Sequence, residues 1–438
     1  MATTDVLMRA GFYGCAHLGY RMGGMARTHP SGLNIREVDG YATYELVMRD
    51  MIAHGVQFIS DGGDTFHVHA PTPRAIDEAL KVDDLRVQAQ IPRTTNTGNH
   101  DKSSSGHVSA VAAVHRPPLA SYSVFPRDGR PDNELIGPLP GLYEVHQPVE
   151  ELPVYLHVVS DFGLNPRLSD RGIDVDPRPI PGAVNILVAH GIFSADDRLF
   201  GAVDGHGATR MIPSEWVDRG FDASVLSDYH TPGPIPGFGP NDRTSGQVWM
   251  TGSLIGRGFS DDICTRGWLL VELLGDGHLR ITHKPVWMRP QIDFEPIDCA
   301  DTTVDEINVQ VRRRLAERRW WDDTSAQITG DGGMLLRQRL RGASTAQRHS
   351  IRALAGEWAT AAGDAAFWGV SFESTATTPT DRDAVIPRQV RREHTRINFV
   401  DDFAGRRDTG RVGAVLAAAA PEIRDRVASN VAKALGEL

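Results

Sequence analysis

Cysteine and long apolar runs are scarce in this chain of 438 residues, and each shortage excludes a class of protein. The three cysteines, Cys15, Cys264 and Cys299, are too few and too far apart for a disulfide framework, so we expect a cytoplasmic protein. No apolar stretch approaches the roughly 20 residues of a membrane span, and no basic segment followed by an apolar core marks a secretory signal. We therefore expect no membrane partner.

Basic residues are also outnumbered, with 46 lysines and arginines against 56 acidic residues and a formal charge of -10. This balance argues against a surface that coats nucleic acid uniformly, but it is compatible with a local basic face. The composition is otherwise that of a globular protein without internal repeats. At this length we expect two or three domains.

Polar side chains occur where predicted strands end. An apolar run at residues 56–59 predicts a buried strand, and the pair Gly62-Gly63 then allows a sharp turn before Asp64 and His67. Open α/β sheets bind their ligands at the carboxyl ends of strands. Asp64 and His67 are therefore candidate site residues.

Four further segments repeat this design, each with side chains that can bind metal or move protons: Cys15 and His17, Asn99 and His100, His190, and Asp228 and His230. Residues two apart project to the same side of an extended chain, as Cys15 and His17 would. Imidazoles combined with carboxylate and amide oxygens suit a divalent first-row metal. The sequence thus predicts a metal crevice.

Strands and helices alternate in the first hundred residues, which predicts a layered α/β domain. Helices are expected at 36–54 and 73–81, and strands at 153–160, 183–190, 221–226 and 248–251. Two late strands, at 268–274 and 279–284, are joined by Gly275-Asp276-Gly277, which suits a hairpin turn.

The character of the chain changes near residue 295. Residues 304–321 are basic and helix-like, 334–340 resemble a half-exposed strand, and the Ala-rich segment 412–438 predicts terminal helices. The arginines of 312–319 form either a solvated helix face or a surface that contacts DNA phosphates. Trp320-Trp321 is expected in a core or a partner interface rather than in a platform on which bases stack.

In their order along the chain, the motifs resemble those of the calcineurin-like metallophosphoesterases. They are Cys-Ala-His-Leu-Gly-Tyr, Gly-Gly-Asp-Thr-Phe-His, Gly-Asn-His-Asp, Ala-His-Gly and Asp-Tyr-His. Leu18-Gly19-Tyr20, Phe66-His67 and the segments 251–254 and 266–272 are most similar to the SbcD-type DNA repair nuclease subunit. The resemblance covers residues 6–290 best.

This resemblance implies a four-layer αββα sandwich over residues 1–295, a smaller α/β capping domain over 296–400 and a helical segment over 401–438. It implies a phosphodiesterase that cleaves DNA with a hydroxide activated by two divalent ions, manganese above all. The implied partners are DNA, an SbcC-type ATPase subunit and a second copy of the chain.

The resemblance also implies a role for each site residue. The first ion would be held by Cys15, His17, Asp64 and His230. The second ion would be held by Asp64, Asn99, His190 and Asp228. His100 would stabilise the transition state or protonate the leaving oxygen, and His67 would orient the phosphate or His100.

Two positions depart from the family pattern. Asp228 stands where most members have His, and it keeps an anionic oxygen. Cys15 stands where the family has Asp. A thiolate there would favour zinc or iron over manganese, whereas a protonated Cys15 would weaken the site. Two other functions therefore stay open: a phosphatase or phosphodiesterase for small molecules, and a metal-impaired scaffold protein.

Overall fold

Two β-sheets that pack face to face organise the chain. A computed structural model describes residues 5–22, 28–101, 110–119, 121–123, 142–165, 175–201, 210–242 and 246–373. The first sheet has five strands and the second has seven. The core between them includes Phe12 and Phe58 from the first sheet and Val188 and Val225 from the second. The predicted α/β fold with two facing sheets is confirmed.

The secondary structure follows in chain order. The strands are β1 (Val6–Tyr13), β2 (Phe58–Asp61), β3 (Arg93–Thr95), β4 (Ser121–Ser123), β5 (Tyr143–Gln147), β6 (Val154–Val159), β7 (Val184–His190), β8 (Phe193–Ala195), β9 (Arg198–Phe200), β10 (Ala223–Ser227), β11 (Gly233–Pro234), β12 (Gln247–Met250), β13 (Gly267–Leu274), β14 (Leu279–Pro285), β15 (Gln291–Asp298), β16 (Leu335–Arg341) and β17 (Phe367–Glu373). The α-helices are α1 (Ile35–Ala53), α2 (Pro73–Gln88), α3 (Ser214–Val217), α4 (Val304–Ala316), α5 (Asp323–Thr329) and α6 (Thr345–Ala361).

The first sheet has the strand order β14-β13-β1-β2-β3. Its strands β1, β2 and β3 run parallel, and β13 pairs antiparallel with both β1 and β14. Met8, Ala10 and Phe12 of β1 point into the core between the sheets. Tyr13 points the other way, into a core that includes Tyr44 of α1. Strand β1 is therefore buried on both faces, as its apolar sequence requires.

Helix α2 extends further than the sequence pattern predicts. Thr72 caps it by accepting a hydrogen bond from the Ala75 N–H, and Pro73 occupies the first turn. The helix was expected to end near Lys81, but it continues to Gln88. The last turns bury Asp83 and Arg86 as an ion pair with an Nε–Oδ1 distance of 2.7 Å. Because these inward-facing residues are charged, the apolar periodicity breaks while the helix continues.

The second sheet has the order β11-β12-β10-β7-β6-β5-β4, in which β6, β7, β10 and β12 are parallel. The predicted strands of this sheet are present, with ends within two residues of those expected. Leu187 and Leu226 on its outer face join a core with Trp216 of α3. In the described part of the chain, α3 is the only α-helix that contributes to this core.

A third sheet, in the order β15-β16-β17, is entirely parallel. Ile307, Val311 and Leu315 of α4 lie on one helix face and pack in a core with Leu336 and Leu340 of β16. The domain borders near 295 and 400 stay predictions. Residues 374–438, including the expected terminal helices, lie outside the described residues.

Helix α4 is shorter than expected. It ends at Ala316, so the predicted helical continuation to Trp321 is wrong. Trp320 is buried in the core of the third sheet, and its Nε1–H donates to the Leu315 carbonyl at 3.0 Å. Packing of this indole requires the chain to leave the helix. Of the two roles left open for the tryptophan pair, the core role is confirmed for Trp320.

Arg289 joins the third sheet to α1. Its buried guanidinium contacts Asp39, with an Nη2–Oδ1 distance of 2.8 Å, and donates to the main-chain carbonyls of Asp331 and Gly333 at 2.8 and 2.7 Å. Nη2 also donates to Thr329 Oγ1 at 3.0 Å. We call this group the arginine clasp. Separately, none of the described helices combines the length and apolarity of a membrane span.

Candidate metal centre

Loops at the carboxyl ends of parallel strands carry the predicted site residues to one edge of the two-sheet sandwich. The residues follow or end their strands in this way: Cys15 and His17 after β1, Asp64 and His67 after β2, Asn99 and His100 after β3, His190 at the end of β7, and Asp228 and His230 after β10. The structure brings all of them together.

The loops after β1 and β2 are joined by main-chain hydrogen bonds. The Cys15 N–H donates to the Gly63 carbonyl at 2.8 Å, and the His17 N–H donates to the Asp64 carbonyl at 2.9 Å. Cys15, His17 and Asp64 have φ angles of 50°, 46° and 57°. This left-handed conformation costs a non-glycine residue about 1 to 3 kcal/mol. The surrounding fold therefore holds these three residues in a backbone shape that they do not prefer.

Gly98 is required by close packing beneath the site. A Cβ atom at this position would overlap the Asp64 carboxylate and would lie 2.6 Å from His190 Cε1. The glycine of the Gly-Asn-His-Asp motif therefore lets the β3 loop approach these two side chains.

A first group of donor atoms comes from Cys15, His17 and His230. Their ligand-type atoms all lie within 4.8 Å of one another. The Nε2 atoms of His17 and His230 are 3.1 Å apart, and His17 Nε2 lies 3.9 Å from Asp64 Oδ2. Cys15 and His17 are fully buried.

A second group surrounds His190. Its Nε2 lies 3.5 Å from Asp64 Oδ2, 3.3 Å from Asn99 Oδ1 and 3.9 Å from Asp228 Oδ1. Its Nδ1–H donates to the Gly62 carbonyl at 2.8 Å, which directs the Nε2 lone pair to the other donors. Cys15, Asp64 and His190 also form a group within 4.8 Å. Asp64 thus lies between the two groups.

The donor set fits divalent metal ions. With metal–nitrogen or metal–oxygen bonds of about 2.0 to 2.2 Å, neighbouring ligand atoms on one tetrahedral ion lie roughly 3.3 to 3.6 Å apart. The separations of 3.1 to 3.9 Å around His17 and His190 bracket that value. His17 Nδ1 is buried and has no hydrogen-bond partner among the described residues. The residues present could therefore hold metal at both groups.

His67 and His100 stack beside the first group, with ring centroids 5.1 Å apart. His100 Nδ1–H donates to the His67 carbonyl at 2.6 Å, and the His100 N–H donates to Asp64 Oδ1 at 2.8 Å. The His100 ring lies 4.8 Å from the His17 ring. The bond at Nδ1 fixes His100 with Nε2 facing the crevice, where it could exchange a proton with a ligand.

Asp101 fixes the backbone around Asp64. Its buried carboxylate accepts hydrogen bonds from the N–H groups of Asp64 (2.6 Å), Gly98 (3.0 Å) and Phe66 (3.3 Å). The Gly-Asn-His-Asp motif marks Asp101 in the sequence as a side chain that can bind metal or move protons. In the structure it supports the backbone of the site loops instead.

Asp261 and Arg257 were not predicted from the sequence. Asp261 Oδ2 accepts from His230 Nδ1–H at 3.0 Å and from the Arg257 N–H at 2.8 Å. Arg257 Nη1 lies 3.3 Å from His100 Nε2. Both residues lie in the loop between β12 and β13, where no periodic pattern or paired motif marks them. Only the tertiary fold brings this loop to the site.

The buried charges perturb one another. Burial opposes ionisation of Asp64, but the imidazoles of His190 and His17 hold the pKa of its carboxyl well below the usual range. Burial likewise opposes protonation of His190, but the Asp64 carboxylate raises the pKa of His190 to about 10. Burial and the charge of Asp64 raise the pKa of Asp101 to about 8. A metal ion at this place would compete with the His190 proton.

Comparison with protein-family models and with curated proteins gives no match. Among the solved structures that are similar to the chain, two match over 64% of its length, each at 9% sequence identity. One is TT1561 of Thermus thermophilus, with 99% of that chain covered and a TM-score of 0.32. The other is a dimetal phosphatase from Danio rerio, with 97% covered and a TM-score of 0.34. Similarity at this level assigns no activity, so the functional case rests on the site itself.

Proposed function

We propose that the chain is a divalent-metal phosphodiesterase that cleaves DNA, acting as the nuclease subunit of an SbcCD-like repair complex. The observation that carries the proposal is the convergence of His17, Asp64, His190 and His230, from four separate segments, on one buried edge. Such a set of nitrogen and oxygen donors is what two adjacent metal ions require.

The side chains divide the work. Two bound ions would neutralise a phosphate ester and supply Lewis acidity. Asp64, which lies between the donor groups, would be shared by both ions. His100 is fixed through Nδ1 with Nε2 toward the leaving oxygen, and in its imidazolium form it would give the Nε2 proton to that oxygen. Arg257, 3.3 Å from that Nε2, adds positive charge beside the departing group.

Exposed arginines of the third-sheet region support a DNA partner. Arg312, Arg313, Arg318 and Arg319 are exposed. Ion pairs with Glu357 and Asp364 partly neutralise Arg312 and Arg319, while Arg318 lies over the Trp320 ring. The remaining positive charge provides phosphate contacts despite the acidic total. We place the SbcC-type ATPase and a second copy of the chain among the proposed partners on the motif resemblance alone.

The direct test is incubation of the purified protein with linear duplex DNA in the presence of manganese, zinc or iron. We expect metal-dependent cleavage that chelation abolishes. An Asp64→Asn variant is the matched control, because it keeps the shape of the side chain and removes its charge. Absence of cleavage with every metal contradicts the proposal.

Cys15 should determine which metal ion the site prefers. Its thiol lies in both donor groups, and a thiolate prefers zinc or iron to manganese. In Cys15→Asp we expect the preferred metal to move toward manganese, as measured by competitive metal binding. A large gain of cleavage in this variant would show that Cys15 disables the site and would favour the scaffold role.

A phosphatase or phosphodiesterase for small molecules is the second candidate. A groove of about 250 Å³, lined by Asp228, His230, Arg257 and Asp261 among others, is small enough to favour it. Turnover of nitrophenyl phosphate esters without cleavage of DNA would select this function.

A further inference from the structure

A second cavity adjoins the candidate metal centre and has a different lining. It has a volume of about 340 Å³, and its walls include Tyr20, Phe259 and Phe367 together with Arg257 and Arg337. Tyr20 and Phe259 come from loops at the site, whereas Phe367 and Arg337 come from β17 and β16. We call it the aromatic cavity.

The aromatic cavity and the candidate metal centre share a wall. Arg257 lines both this cavity and the groove that contains Asp228 and His230. The Tyr20 ring lies 4.9 Å from the ring of His67, which in turn stacks on His100. A group that is attached to a phosphate at the metal centre can therefore extend into the cavity.

The walls offer flat surfaces with a fixed orientation. The rings of Phe259 and Phe367 have centroids 5.9 Å apart. The Arg337 guanidinium lies 4.8 Å from the Phe259 ring centroid, and two hydrogen bonds of 2.9 and 2.7 Å hold it to the Asp293 carboxylate. Because the hydrogen bonds to Asp293, which Arg339 also contacts at 3.2 Å, already occupy the N–H groups on one edge of the Arg337 guanidinium, its flat face is better suited to stacking than that edge is to binding phosphate.

Aromatic rings and guanidinium planes bind unstacked nucleobases, whose faces are flat and polarisable. A volume of about 340 Å³ lies at the low end of small-molecule sites, so it accommodates one base with its sugar but not a base pair. We propose that the aromatic cavity binds a single unpaired nucleobase next to the phosphate that is cleaved. This rests on the proposed function for the position of the phosphate.

The proposal predicts selectivity between two esters with the same leaving group. One is the p-nitrophenyl ester of thymidine 5′-monophosphate, and the other is methyl p-nitrophenyl phosphate, which has no base. In wild-type protein kcat/KM should favour the thymidine ester. Phe259→Leu should reduce this preference about 5- to 100-fold, mainly through KM, because stacking on the ring is lost.

Phe259→Tyr should keep the preference of the wild type, since it keeps an aromatic face. Phe372→Leu is the matched control, because Phe372 lies on β17 near Arg348 and outside the cavity. Thermal melting checks that each variant is folded. An unchanged ratio of kcat/KM values in Phe259→Leu, or an equal loss in Phe372→Leu, overturns the proposal.

Binding measured without turnover separates this proposal from the proposed function. Calorimetric titration should show that thymidine 5′-monophosphate binds more tightly than deoxyribose 5-phosphate, and that Phe259→Leu removes the difference. If this result is obtained but no ester is cleaved, the nucleobase site stands and the phosphodiesterase activity fails. Equal binding of the two ligands overturns the nucleobase site even if esters are cleaved.

Oligonucleotides then distinguish the source of the base. Preferential binding of a single-stranded oligonucleotide over a blunt duplex supports a base at a DNA end. Binding of the mononucleotide alone supports a free nucleotide ester, and in both outcomes the base is unpaired. Tighter binding of the blunt duplex contradicts an unpaired base.

Discussion

The metal centre and the arginine clasp are both buried and both polar, but they differ in how many of their polar atoms have hydrogen-bond partners. In the clasp, each nitrogen of the Arg289 guanidinium donates to an acceptor, including Asp39 and the main-chain carbonyl of Gly333. In the metal centre, the Nε2 atoms of His17 and His230 face each other at 3.1 Å, and His17 Nδ1 has no partner within the described ranges.

The difference separates a structural cluster from a functional one. A buried ion pair with its hydrogen bonds complete needs no ligand, whereas nitrogen, oxygen and sulfur donors gathered around one point offer the ligands of a cation. Mutation of the clasp should therefore lower the stability of the protein, whereas mutation of the metal centre should lower metal binding and activity. The following predictions test this contrast, beginning with the largest effect.

Asp64→Asn should lower phosphodiester cleavage by at least about 10³-fold, because Asp64 is the donor between both groups and metal catalysis is worth several kcal/mol. The metal-free variant should stay folded, since it loses one of several carboxylates buried together with Asp101 and Asp228. Steady-state rates measure the loss of cleavage, and near-ultraviolet circular dichroism measures the folded state. Loss of the folded state would show that Asp64 is needed for stability, which contradicts the distinction between the metal centre and the clasp.

Arg289→Met should lower the free energy of unfolding by about 3 kcal/mol, because Asp39 loses one buried partner. Removing one partner of a buried ion pair usually costs about 3 to 5 kcal/mol. We expect the low end of this range, because Arg36 still contacts Asp39 with an Nη1–Oδ2 distance of 2.7 Å. Urea unfolding measures the loss, and the metal content of the folded variant should equal that of the wild type. A stability equal to that of the wild type would contradict the role of the clasp.

Asp261→Asn should weaken metal affinity by about 10- to 100-fold, the usual effect of losing a carboxylate that orients a ligand histidine. His230 is the histidine concerned, at 3.0 Å from Asp261. Competition with a chromophoric chelator gives the affinity. Asp262→Asn is the control, because Asp262 accepts from Thr231 rather than from a candidate ligand. An equal effect of both substitutions would argue against an orienting role.

The candidate ligands could be predicted from the sequence, but the residues that orient them could not. Asp64, Asn99 and His190 each follow an apolar strand in a recognisable motif, and parallel strands then bring their ends together. Asp261 and Arg257 reach the site from a loop without pattern, so only tertiary packing reveals them. The same limit applies to secondary structure. The inward ion pair of Asp83 and Arg86 conceals the end of α2, and the packing of Trp320 ends α4 early.

The left-handed residues in the site loops have one more consequence. Cys15, His17, Asp64 and Asp228 all have positive φ angles, so the main chain determines where each side chain starts. The element at the end of a side chain can then be exchanged without moving its origin. A substitution at residue 15 or residue 228 should therefore change the donor atom that is offered to a ligand, while the loop keeps its shape.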